Sequence, residues 1–145
     1  MKMRNEYPVD LMEIEDGALM VTFPDLPEGI TQGDDRADAL NEAQDLLEEM
    51  LRSKMAYGEG IPPASPAKGR PVVEVSPTLA AKVELYCAWK ESGITKAELA
   101  RRLGWAPPQV TRLFDVDHNS RIDQLASALR QLGQRLIVGT RPAHR

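Results

Sequence analysis

The sequence predicts an α+β protein in which a small antiparallel sheet and one helix precede an all-α unit. Two strand-like runs near the start carry the first half of that expectation. Tyr7, Val9 and Leu11 alternate with Pro8, Asp10 and Met12, and Leu19, Val21 and Phe23 alternate again beyond Glu15-Asp16-Gly17. This is the period of a hairpin with one buried face. Short apolar-periodic segments with helix start and stop signals fill the chain after Ser76 and carry the second half.

Pro24 to Gly29 is a proline-bounded loop, and Ile30-Thr31-Gln32 suffices for a short third strand before Gly33. From Asp34 to about Tyr57, Ala37, Leu40, Gln44, Leu47, Leu51 and Met55 recur at helical spacing. Asp35, Asp38, Glu42, Asp45, Glu48 and Glu49 crowd the rest of that surface, so the helix packs one stripe on the sheet. Ile61 to Pro71 holds too much proline to be a core element and reads as a stiff crossing or linker. Val72 to Val75 reads as a strand that returns to the first sheet if the crossing is internal to the domain. The expected boundary then gives an α/β domain over 1–75 and a helical domain over 76–145.

In the second domain, Ser76-Pro77 opens a helix through Leu79, Val83, Tyr86 and Trp89 that ends at Ser92-Gly93. Thr95 is placed to cap the next, with Glu98 where the reciprocal partner of a capping box belongs. Leu99, Ala100 and Leu103 share a face, and Gly104 supplies the backbone freedom that ends the helix. Pro107 and Pro108 suit the first turn of another, whose Val110, Leu113 and Phe114 point inward. A last helix is expected from Ser120 as cap, with Asp123 in its first turn, Ile122, Leu125, Ala126, Leu129 and Leu132 as apolar face, and Gly133 as stop.

Two short helices about a tight turn form a helix-turn-helix, and that motif implies DNA. Gln109, Thr111 and Arg112 are left facing outward from its second helix, the one that enters a major groove. Gln109 is the candidate adenine reader and Arg112 a guanine or phosphate contact. Thr95, Pro108 and Arg121 complete the expected DNA-binding set, with Arg101 and Arg102 as further phosphate candidates. The stretch "Ile-Thr-Lys-Ala-Glu-Leu-Ala-Arg-Arg-Leu-Gly" with "Val-Thr-Arg-Leu" resembles the Xre-type, phage-repressor-like domains. One recognition helix covers few bases, so a homodimer or higher oligomer is expected, its half-sites about 34–36 Å apart. Arg135 to Gly139 is short and apolar and is a candidate strand for pairing with its copy.

Charge divides the chain the same way. Up to Arg70 there are 7 basic and 15 acidic residues, a balance of −8; from Pro71 onward there are 11 and 7, or +4. Such asymmetry suits a basic partner for the first half and a polyanion for the second. One cysteine, Cys87, leaves no intramolecular disulfide and is expected to be buried as a small hydrophobe. No apolar run approaches the roughly 18 residues of a membrane span, and Met1 to Asp10 lacks a signal peptide's apolar core, so a cytoplasmic location is expected. His118 and His144 lie far apart, in a loop and in a polar tail expected to fray from Thr140, and make no zinc site.

Tyr7-Pro8, the hairpin, "Phe-Pro-Asp-Leu-Pro-Glu-Gly", "Thr-Gln-Gly-Asp" before an Ala- and Leu-rich helix, and "Ile-Pro-Pro-Ala-Ser" together resemble the HicB antitoxins. The resemblance spans Tyr7 to about Val138 and includes that family's variant with a helix-turn-helix tail. It implies a partial ribonuclease-H-like N-terminal fold that binds and neutralises HicA, a small basic toxin that cleaves messenger RNA. It also implies operator binding by the C-terminal domain and repression of the pair's own operon. A ribonuclease-H-like fold prompts a search for a metal-holding carboxylate cluster, for which Asp10, Glu13, Asp25 and Asp34 are the candidates. No catalytic pattern connects them, no phosphate loop or nucleophile motif occurs, and neither catalysis nor a cofactor is expected. The sequence names no toxin-contacting residue. The alternative to an antitoxin is a transcriptional regulator whose acidic half senses a ligand or dimerises.

Overall fold

A computed structural model describes residues 1–143 of the chain. His144, one of the two histidines weighed above, and Arg145 at the end of the polar tail lie outside the described residues. The fold is α+β, and among the described residues it has five strands and five helices. The chain divides into two compact units, residues 1–83 and 84–145.

In the first unit, β1 (Glu6–Pro8) and β2 (Asp10–Glu13) are separated only by Val9. β1 pairs antiparallel with β5 (Val72–Glu74), Tyr7 opposite Val73, and the Val9 N–H extends that edge by donating to the Pro71 carbonyl at 3.0 Å. β2 turns through a single 3-10 turn at Glu15–Gly17 and pairs with β3 (Leu19–Thr22), which pairs with β4 (Ile30–Gly33). The Pro-rich crossing is therefore internal to this unit, its far end returning as a strand.

Side-chain and backbone hydrogen bonds fasten the crossing in place. Tyr7 donates its hydroxyl to the Pro62 carbonyl at 2.6 Å, Arg4 reaches the Ile61 carbonyl at 2.9 Å, and the Ala64 N–H donates to Met3 at 2.8 Å. Ile61 is itself buried. A proline-rich segment forgoes ladder bonds, so Tyr7 and Arg4 satisfy two of its carbonyls and its own Ala64 N–H finds an acceptor in Met3.

α1 (Arg36–Ala56) starts at Asp35, whose carboxylate accepts the Asp38 N–H at 2.8 Å, and it packs on β3, β4 and β5. Its buried stripe is Ala39, Ala43, Leu47, Met50 and Leu51. The expected stripe is corrected at its start, where Ala37 is exposed and Ala39 takes the inward place. Gly33 explains the change: a Cβ there would lie 2.2 Å from the Ala39 backbone nitrogen. Helix and strand meet backbone to backbone, and only the smallest residues fit between them. Tyr7, Val9, Val21, Phe23, Leu26, Leu47 and Leu51 complete a core that is closed to solvent.

The division between the units falls within α2 (Pro77–Ser92). In the second unit α3 (Lys96–Leu103) packs on both α4 (Pro107–Phe114) and α5 (Ile122–Gln131). Leu99, Ala100 and Val110 are buried at the centre, with Trp89, Ile94, Leu103, Trp105, Phe114 and Leu132 around them. Trp89 and Phe114 meet edge to face at 5.3 Å, a favoured aromatic geometry.

Several local expectations are corrected here. Ser120 does not cap α5, whose N-cap is Arg121 without a side-chain cap bond. Ser120 is instead buried, its hydroxyl donating to the Arg112 carbonyl at 3.3 Å and meeting His118 Nδ1 at 3.1 Å, so it holds the end of α4 to the following loop. Ile122 is 49% exposed rather than part of the inner face, because α5 buries Leu125, Ala128 and Leu129. Cys87 is only half-buried, and Arg135 to Gly139 forms no strand in the single chain.

Candidate nucleic-acid interface

The turn between α3 and α4 sets the geometry of the candidate interface. Thr95 Oγ1 accepts the Glu98 N–H at 3.0 Å, which starts α3. Gly104 ends it in the left-handed conformation at φ 70°, and the Trp105 N–H reaches back to the Ala100 carbonyl at 3.0 Å. That is the closure for which glycine is favoured, since other residues lose energy at positive φ. Pro107 and Pro108 then occupy the first turn of α4, where amide donors have no helical partner.

Glu98 does not complete a capping box. Its carboxylate instead takes Arg101 Nε at 2.8 Å and Arg102 Nε at 3.1 Å, one and the other a turn further along α3. The hydrogen bond from Arg101, and then that from Arg102, hold the Glu98 carboxyl down at about 2. Both arginines therefore begin any encounter with a polyanion already committed to Glu98. The sequence carried this signal, because residues three and four apart on a helix are neighbours.

A half box exists at α4 instead. Gln109 Oε1 accepts the Ala106 N–H at 2.9 Å, while Ala106, lacking a side-chain acceptor, returns only its backbone carbonyl to the Gln109 N–H at 3.0 Å. Thr111 donates its hydroxyl to the Pro107 carbonyl at 3.2 Å. Two of the three outward polar residues, Gln109 and Thr111, are thus fixed to the first turn of their own helix. Pro108, Gln109, Thr111 and Arg112 are all exposed on α4, as are Thr95 at the start of α3 and Arg121 before α5. The helix presents a polar face to solvent and buries Val110 and Leu113 on the other.

Lys96 was missed by the sequence reading. Its ammonium lies 4.7 Å from the Phe114 ring centroid and 5.1 Å from that of Trp89. A cation is poorly placed in the first turn of a helix, and two aromatic faces offset that cost. No spacing rule brings Trp89, Lys96 and Phe114 together, since they come from three helices.

The four carboxylates weighed for catalysis do not converge. Asp10 pairs with Arg70 at 2.8 Å, and Asp25 accepts both the N–H and hydroxyl of Ser65, at 3.0 and 3.1 Å. Asp34 donates its N–H to Asp38 at 2.8 Å, and Glu13 is exposed at the end of β2. Among the described residues no three His, Cys, Asp or Glu side chains are grouped to hold a metal ion.

A family profile described as "HicB_like antitoxin of bacterial toxin-antitoxin system" matches residues 6–84. The chain belongs to this antitoxin family. Relatives extend the match beyond the profile. "Antitoxin HicB 1" of Photorhabdus laumondii is 38% identical over 91% of this chain and 84% of its own length. "Antitoxin HicB" of Escherichia coli K12 is 39% identical over 91% of this chain and 96% of its own. "Antitoxin HicB" of Pseudomonas fluorescens is 37% identical over 95% of both. Alignments of that length include α3 and α4, so the likeness to these antitoxins takes in the helical unit. A HicB-like antitoxin is a regulator and not an enzyme. No helix among the described residues is long and apolar enough to cross a membrane.

Proposed function

We propose that this chain is the antitoxin of a HicA-HicB pair, acting in the cytoplasm on two partners. Its first unit binds and neutralises a small, basic, mRNA-cleaving toxin. Its second unit, as a homodimer, binds operator DNA through α3 and α4 and represses the operon that encodes both proteins. The relatives named Antitoxin HicB, matched over most of the chain, carry the first part of this reading. The exposed polar face of α4 supports the second.

In this reading α4 lies in the major groove, with Gln109 and Arg112 toward base edges. Pro108 and Thr111 flank them against the groove wall, while Thr95 and Arg121 approach the phosphates from neighbouring helix starts. Opposite charge balances in the two halves keep the partners apart: the acidic half repels nucleic acid and attracts a cationic protein.

The test has two arms on the full chain. Co-expression is expected to rescue growth of cells producing the toxin encoded beside it, and the purified chain is expected to shift DNA from its own promoter but not a scrambled duplex. Failure of rescue removes the antitoxin role, and equal binding to both duplexes removes the operator role.

A further inference from the structure

The three-stranded sheet β2-β3-β4, separate from the β1-β5 pair, has one face on α1 and one face open. Register decides which residues belong to each. Leu11, Val21 and Thr31 form one row across β2, β3 and β4, and Val21 in that row is closed to solvent. Gly33, two places from Thr31 on the same side, touches the α1 backbone at Ala39. The alternate rows, Asp10–Thr22–Ile30 and Met12–Met20–Gln32, therefore face away from the helix.

A solvated sheet face ordinarily carries polar side chains. This one carries Ile30 at 62% exposure and Met12 at 54%, with half-buried Met20 between the strands that hold them. Exposed apolar groups aligned on one surface mark a place where another molecule sits, and methionine adapts readily to a partner's shape. The face has a charged end as well. Glu15 and Asp16 form the turn from β2 to β3, and Asp34 and Asp35 leave β4 at the same end, whereas Glu13 shares a row with Gly33 on the α1 side. At the other end Asp10 is neutralised by Arg70.

We propose that this open sheet face is where the antitoxin seizes its toxin, by apolar contact with Met12, Met20 and Ile30 and by attraction of toxin lysines or arginines to the Glu15–Asp16 turn. The inference rests on the antitoxin reading above and gives it an address. Charge complementarity selects the occupant: a second copy of this chain would bring the same carboxylates to the interface, whereas a basic protein pairs with them. The apolar centre excludes water and holds the complex, and the acidic end sets its orientation.

The experiment uses the purified full chain and the toxin encoded beside it, with affinity measured by calorimetry at two salt concentrations. Met12→Arg with Ile30→Arg is expected to weaken binding roughly 100-fold, as loss of central contacts does. Glu15→Lys with Asp16→Lys is expected to weaken it about 10-fold and to flatten its salt dependence. Glu42→Lys with Glu49→Lys, on the exposed surface of α1, removes as much negative charge elsewhere and is expected to change affinity by no more than about twofold. Unchanged far-UV circular dichroism and operator binding establish that each variant is folded.

Parent-like affinity of Met12→Arg with Ile30→Arg overturns the proposal while leaving the antitoxin reading intact. So does an equal loss in the α1 variant, which would reveal non-directional attraction, or loss of the chain's own dimer with toxin binding preserved. If the parent chain itself does not bind the toxin, the antitoxin reading fails and the proposal falls with it.

Discussion

The side-chain carbonyl of Gln109 accepts the backbone N–H of Ala106 at 2.9 Å, so the residue proposed to read a base also closes the start of its own helix. Under the proposed operator role, half of a bidentate Gln–adenine contact would already be engaged within the protein, with the amide nitrogen left for the base. Stability and base preference should separate by substitution. Gln109→Ala is expected to cost about 0.5–1 kcal/mol of unfolding free energy as a lost cap and to relax base preference by roughly 1–3 kcal/mol. Gln109→Glu keeps an acceptor at the positive end of α4, so its urea midpoint should match the parent while operator binding falls. Equal loss of stability in both would mean that the cap bond contributes nothing.

Arg112 lies one turn into α4 on the same exposed face. Arg112→Ala is expected to weaken operator binding in a fluorescence-anisotropy titration and, if the contact is to phosphate, to reduce the slope of log K against log salt by about one. A base contact would instead appear as altered preference at one position with the slope unchanged. Parent-like binding would show that α4 is not the recognition helix.

Gly33 admits no side chain. Gly33→Ala would press a methyl group against the Ala39 backbone nitrogen at 2.2 Å, where the neighbour is main chain and cannot rotate aside. Chemical denaturation is expected to report a loss of about 1–3 kcal/mol. Gly58→Ala is no substitute control, since its φ of 68° is strained for alanine; Gly60→Ala, where the added methyl meets nothing within 4 Å, should be close to neutral.

Glu98 titrates at about 2, held there first by Arg101 and then by Arg102. A depressed carboxyl stabilises the folded state above its unfolded pKa of roughly 4.3, and the contribution is lost as pH falls from there through the folded value. Carbon-13 NMR titration of the Glu98 carboxyl checks the value directly. Arg101→Ala should move it upward, and an unchanged midpoint would assign the depression elsewhere.

Legibility from sequence followed the range of the interactions. Strand alternation around Val21 and the Thr95 and Gly104 signals are local, and those elements formed where their residues pointed; the expected strand from Tyr7 to Met12 instead breaks at Val9, because β1 pairs with the distant β5 while β2 pairs with β3. The shift of the α1 stripe from Ala37 to Ala39 was not legible, because it depends on how closely Gly33 on β4 approaches, a contact set by tertiary packing. Ser120 has the chemistry of a cap but is buried under α4, where the Arg112 carbonyl competes for its hydroxyl. At the candidate interface, the outward residues of α4 were readable from helical phase alone. Their commitments were less so: Gln109 to Ala106, Glu98 to two arginines, and Lys96 to two rings from other helices.

The central claim is that this chain holds a toxin, and native mass spectrometry of the tagged chain purified from cells carrying its own gene neighbourhood tests it most directly. A stoichiometric complex with a small basic protein, toxic when produced alone, is the expected result. Recovery of the chain by itself, with the neighbouring gene expressed and its product left unbound, would contradict the claim.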